Sequence, residues 1–183
     1  METKEILIIV GILFIVSLGI EVVLSKTKKK RLDQLMYYLM ENKFKEFDEL
    51  LERKSTKFFV PIYNSIILRL NKAMILKDVR MVNELIDEAG KIRMKDQQKM
   101  YLYSKGFTFY LAMGEKYRCK KCYEEIQLCK DNPTKEYIEM VYDTIILKGY
   151  KYIDKAEKML IEATGEDKEN LTALLNAMYV NKG

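Results

Sequence analysis

The thiols of the chain are Cys119, Cys122 and Cys129, and the first two stand in a C-x-x-C spacing. That spacing suits two kinds of chemistry, metal binding and thiol redox. A structural zinc ion needs four ligands, and the sequence holds neither a histidine nor a fourth cysteine to complete the set. On a helix, positions 119 and 122 lie about one turn apart and share a face, but a thioredoxin-like motif needs a βαβ setting, which the surrounding pattern lacks. Cys119 falls at a helix-packing position, so packing accounts for it. An odd number of cysteines fits a reducing compartment without disulfides. Without histidine there is also no Ser-His-Asp or Cys-His triad and no imidazole base. The carboxylates Asp48-Glu49, Glu124-Glu125 and Glu166-Asp167 stand beside lysines, as on solvated helix faces. No phosphate-cradling glycine loop and no G-x-S-x-G elbow occurs. The expectation is a non-enzyme: no catalytic residue, no metal site and no cofactor.

The elements that carry these residues are helical. Of 183 residues, 49% are hydrophobic and 32% charged, with two prolines and eight glycines, too few breakers for a chain of short strands. Four similar segments recur at 40–53, 74–89, 113–128 and 147–163, each running from an apolar helix end through a polar turn into a second amphipathic helix. Aligning the second helices superposes Phe47, Val82, Cys119 and Ala156. Four residues on lie Leu51, Ile86, Tyr123 and Leu160, and three beyond those lie Lys54, Ala89, Ile126 and Ala163, so each trio shares one face. The preceding helices offer Leu35 and Tyr38, then Ile66, Leu70 and Ala73, then Tyr103, Phe107 and Tyr110, then Met140 and Leu147 as inward residues. Pro61 opens a helix, Gly90 closes one, and Asn132-Pro133 reads as an N-cap with proline at the first helical position. A last helix over 170–180 presents Leu171, Leu174, Leu175 and Met178 to cover the end of the stack. Most of the 13 tyrosines, among them Tyr37, Tyr38, Tyr101, Tyr103, Tyr110 and Tyr123, fall at packing spacing and read as core.

This pattern resembles the tetratricopeptide repeat family, over about residues 31–163. The third segment carries most of the likeness, through Tyr103, Gly106, Tyr110, Gly114, Cys119, Tyr123 and Ile126; the fourth adds Ala156, Leu160 and Ala163. No tryptophan opens a unit, Lys54 and Ile126 stand where a small residue is expected, and the spacing exceeds 34 residues. The resemblance implies an α-α superhelix of about four helix pairs and a capping helix, with a concave groove lined by the first helix of each pair. Carried over, the peptide- or protein-binding positions are Asn64, Ile67, Asn71 and Met74, then Tyr101, Ser104, Thr108 and Leu111, then Ile138, Val141 and Ile145. A carboxylate clamp is not implied, because Leu32 and Met36 occupy its opening positions. The expected occupant is an extended or helical peptide held by apolar and amide contacts.

Ahead of the repeats, Ile6 to Ile20 is uncharged, and Ile6 to Leu24 would span roughly 28 Å as a helix, near the hydrocarbon thickness of about 30 Å. Lys26, Lys28, Lys29, Lys30 and Arg31 follow at once. The expectation is an all-α protein with a single transmembrane anchor over 1–25, a basic juxtamembrane segment over 26–31 at the membrane surface, and a repeat domain over 32–183. It would be a single-pass plasma-membrane protein with its N-terminus outside and its C-terminal domain cytoplasmic. Residues 31–183 carry 27 Lys and Arg against 24 Asp and Glu, which gives no basic stripe and no case for nucleic acid. Two functions fit: a membrane-tethered adaptor or scaffold whose repeats recruit a protein partner, or an assembly subunit of a membrane complex that associates through its anchor.

Overall fold

The computed structural model describes residues 23–183, and every regular element among them is a helix. The chain divides into two compact units, Met1–Ile92 and Arg93–Gly183. In the first, α1 is described over 23–40 and is followed by α2 (Phe44–Glu52), α3 (Lys54–Phe59), α4 (Ile62–Ile75) and α5 (Val79–Ala89). In the second come α6 (Asp96–Ala112), α7 (Lys116–Gln127), α8 (Pro133–Val141) running into a π-turn (Tyr142–Ile146), α9 (Ile153–Glu162) and α10 (Gly165–Lys182).

The first unit buries Leu35 and Leu39 of α1 against Phe47, Leu50 and Leu51 of α2, with Val60 and Leu68 closing the cluster. Ile66, Leu70 and Ala73 of α4 are buried along with Val82, Leu85, Ile86 and Ala89 of α5, and α4 packs on α5. Lys72 ties α4 to α2: its Nζ donates to both Asp48 oxygens at 2.7 and 2.6 Å and lies over the Phe44 and Phe47 rings. The short helix α3 is not foreshadowed by periodicity. It starts where Arg53 turns extended, which places Lys54 in solvent instead of on the packing face. In the second unit α6 packs on α7, and α10 covers α9 and the π-turn. Leu171, Leu174, Leu175 and Met178 are buried as expected, while α10 begins at Gly165, five residues before the expected start at 170.

The four hairpins α1–α2, α4–α5, α6–α7 and α8–α9 share one device. The first helix of each ends at a residue of positive φ: Asn42 (54°), Lys77 (54°), Gly114 (73°) and Lys148 (58°). In the first three, the N–H of the next residue donates to the carbonyl five back, Lys43 to Tyr38, Asp78 to Ala73 and Glu115 to Tyr110, at 2.8, 2.9 and 2.9 Å. This is the Schellman closure, which satisfies carbonyls that a helix end leaves open. Five residues past each turn stands Phe47, Val82 or Cys119, and all three are fully buried. Ala156, the aligned residue of the fourth hairpin, is fully buried too.

The fourth hairpin departs from the pattern twice. The π-turn adds a residue to the last turn of its first helix, so that Gly149 N–H donates to Asp143 O at 2.8 Å, six back instead of five. Ala156 then follows Lys148 by eight positions. The extra residue rotates everything after it by about 100°. Thr144 is consequently buried, and Leu147, read from the sequence as an inward residue, is 61% exposed.

The transmembrane element of the expected architecture is corrected. Among the described residues no helix is long and apolar enough to cross a membrane. The described part of α1 carries five cations from Lys26 to Arg31, and α10 carries Glu166, Asp167, Lys168, Glu169 and Lys182. Each such charge costs roughly 2.5–3.5 kcal/mol near a bilayer centre. Of the apolar stretch 6–24, Val23 and Leu24 are exposed, and residues 6–22 lie outside the described residues. The single-pass location, the assignment of the two ends to opposite sides of a membrane, and association through an anchor are withdrawn with it.

Candidate functional site

The thiols occupy packing positions. Cys119, Cys122 and Cys129 are buried and free. Cys119 Sγ donates to Phe107 O at 3.8 Å, and Cys129 Sγ donates to Glu125 O at 3.6 Å. Burial pushes the Cys119 thiol up to about 11 and raises that of Cys129, away from the thiolate form that reacts or binds metal. Among the described residues, no three His, Cys, Asp or Glu side chains are placed to hold a metal ion.

The expected groove residues separate into three groups. On α4, Asn64, Asn71 and Met74 are half-buried, and Ile67 is buried. On α6, Tyr101 and Thr108 are exposed, and Ser104 and Leu111 are half-buried. On α8 and its π-turn, Ile138 and Val141 are buried, and Ile145 alone reaches solvent. Ile138 and Val141 therefore belong to the core of the second unit. Tyr37 and Tyr101, read as core, are both about half exposed, and Lys43 Nζ donates to the Tyr37 hydroxyl at 3.3 Å.

Two of the expected residues come together at a cavity. Tyr101 and Ser104, with Asp96, Gln97 and Met100 of the same helix, face the segment 129–134 across a space of about 620 Å³. Among the described residues the Ser104 hydroxyl has no hydrogen-bond partner. Thr108 and Leu111 lie farther along α6 and do not line it. A second cavity, of about 540 Å³, opens between the start of α8, the end of α9 and the start of α10, and shares Pro133 and Thr134 with the first. Tyr137, Met159 and Leu171 give it an apolar side, and Glu162, Asp167 and Asn170 a polar one. The two cavities adjoin at Pro133 and Thr134 at the start of α8.

The common wall is held from both sides. Lys135 is buried, and its Nζ donates to Gln127 O and Cys129 O at 3.0 Å each and to Asp131 Oδ1 at 2.9 Å. It thereby satisfies carbonyls at the end of α7. The hydrogen bond with Asp131 raises the Lys135 ammonium and lowers the Asp131 carboxyl. Asn132 Oδ1 accepts from Lys135 N, capping α8, and Lys130 N donates to Asp96 Oδ2 at 3.2 Å. The turn is legible in the sequence as Asn132-Pro133. Its role as a wall is not, because that depends on a lysine reaching back to carbonyls six and eight residues earlier.

The basic segment is part of α1, and its five cations are distributed around the helix. Lys26, Lys30 and Arg31 border a shallow space of about 490 Å³ with Thr27 and Gln34. Lys26, Lys29 and Lys30 are exposed, Lys28 and Arg31 half-buried, and none of the five forms an ion pair among the described residues. Comparison with family models, curated proteins and solved structures finds no match for this chain.

Proposed function

We propose that this chain is a non-catalytic interaction protein, an adaptor or scaffold built from tetratricopeptide-like helical hairpins, whose partner is a protein or peptide. The observation that carries the reading is the groove at Tyr101, Ser104 and the 129–134 wall. It is a preformed concave site with an apolar floor, placed on a helix and a pinned turn, and so needs little reordering to receive a ligand. Burial raises the Cys119 and Cys129 thiols away from the nucleophilic thiolate, and the carboxylates at the groove stand without a histidine or phosphate loop beside them. Paired antiparallel helices with side-chain-lined edges are suited to holding extended segments.

The test is partner recovery from the source cells by the tagged full chain, with wild type beside Tyr101→Ala and Asn71→Ala. Tyr101→Ala is expected to lose the partner and Asn71→Ala to keep it. Undiminished recovery by Tyr101→Ala, with the fold intact by circular dichroism, removes the groove from the reading.

A further inference from the structure

The two adjoining cavities differ in charge, and the difference specifies a ligand. In the first cavity the charges are already balanced: Asp131 is engaged by Lys135, Asp96 accepts from the Lys130 amide, and the Lys130 side chain adds a cation of its own. In the second, Glu162 and Asp167 line the space with no cation among its lining residues, and neither forms an ion pair among the described residues. Asp167 is at home in the first turn of α10, where the helix dipole favours an acid. Glu162 is not: it is the last residue of α9, at the end where the dipole is negative and a cation is favoured. The same cavity holds Tyr137, whose phenol is raised first by burial and then by Asp167.

Resting on the interaction reading above, we propose that the adjoining cavities take a peptide segment with a Lys or Arg side chain in the cavity of Glu162 and Asp167 and an apolar side chain beside Met100 and Tyr101. The shared residues Pro133 and Thr134 allow one short segment to reach both cavities. The cation supplies the charge that α9 ends without, and the apolar side chain fills the floor of the balanced cavity.

The probe is a phage-displayed library of random twelve-residue peptides selected on the full chain. Enriched sequences, resynthesised with a fluorophore, are titrated by polarisation at low and high salt. Selected peptides are expected to pair a Lys or Arg with a nearby apolar residue and to weaken with salt. E162Q/D167N is expected to weaken them about three- to tenfold while binding their Lys→Ala versions as well as wild type does; Tyr101→Ala weakens both versions. Enriched peptides without a basic residue that still depend on Tyr101 overturn the charge inference and leave the interaction reading in place. Basic peptides that bind E162Q/D167N as tightly as wild type also overturn it, and a selection that enriches nothing removes both readings.

Discussion

The third and fourth hairpins solve the same problem in two ways. The α6–α7 hairpin closes with Gly114 in the left-handed region, a hydrogen bond from Glu115 N–H to Tyr110 O, and Cys119 buried five residues on. The α8–α9 hairpin reaches an equally buried Ala156, but through a π-turn, a longer loop and Lys148 in the left-handed region. Asp143 is then nearly buried, with Oδ2 unpartnered and Oδ1 3.9 Å from Lys151 Nζ, while Gly149 lies directly against its carboxylate. Asn181 of α10 holds the arrangement by donating to Thr144 O and Gly149 O at 2.9 and 3.1 Å. The lesson is that a hairpin fixes the residue that must be buried and lets the turn absorb extra length. The cost falls on whichever polar group the extra residue draws inward.

Removing what joins the two hairpins has the largest expected effect. The Phe107 ring is buried, with its centroid 6.4 Å from that of Tyr142, which in turn stacks on Tyr123 at 3.8 Å. Phe107→Ala is expected to cost about 3–5 kcal/mol, read as a fall in the urea midpoint. Next comes Gly149→Ala, because an added Cβ would stand 2.6 Å from Asp143 Cγ and press on both carboxylate oxygens. A loss of about 1–3 kcal/mol is expected, and most of it should vanish in an Asp143→Ala background, since the two sites are in contact. An unchanged penalty in that background would mean that the fourth turn is not shaped by this clash.

The turn residues offer a smaller and opposite pair. At Gly114 an added Cβ would meet open space, so a substitution there suffers only from the positive φ. Gly114→Ala is therefore expected to destabilise by about 1 kcal/mol, and Lys148→Gly to stabilise by a similar amount, in thermal melts. The smallest effect is electrostatic. The Lys135 hydrogen bond holds the Asp131 carboxyl below the usual carboxylate range, so its contribution to stability is present above the unfolded value and fades as pH falls below about 4. Asp131→Asn should slightly lower the melting temperature above about pH 4 and converge with wild type as pH falls further, which flattens the acid limb.

Much of the fold is legible in the sequence because helix packing is a periodic demand. Val82, Cys119 and Ala156 align from spacing alone, and each is fully buried. Asn132-Pro133 marks a helix start because cap and proline chemistry are local. What stays hidden depends on contacts far along the chain or on backbone states without a sequence signal. Lysine at 77 and 148 gives no hint of a left-handed turn, and nothing in the run from Tyr142 to Ile146 announces a π-turn, so periodicity places Leu147 on the wrong side. The site is half legible. Tyr101 and Ser104 emerge from the repeat alignment, but Ile138 and Val141 are core. Asp167 stands in the sequence as one more solvated acid and Glu162 carries no signal, because only folding brings them to one cavity. The basic run after residue 25 reads as a membrane border, whereas charges such as these are among the reasons that no described helix suits a bilayer.

The left-handed turns at 42, 77, 114 and 148 also bear on where such a chain can be cut and rejoined. They stand 35, 37 and 34 residues apart, so hairpins of unequal length close through the same left-handed step. All four turn residues are exposed, and they mark seams at which a hairpin from one copy could be spliced into another without cutting through a buried side chain.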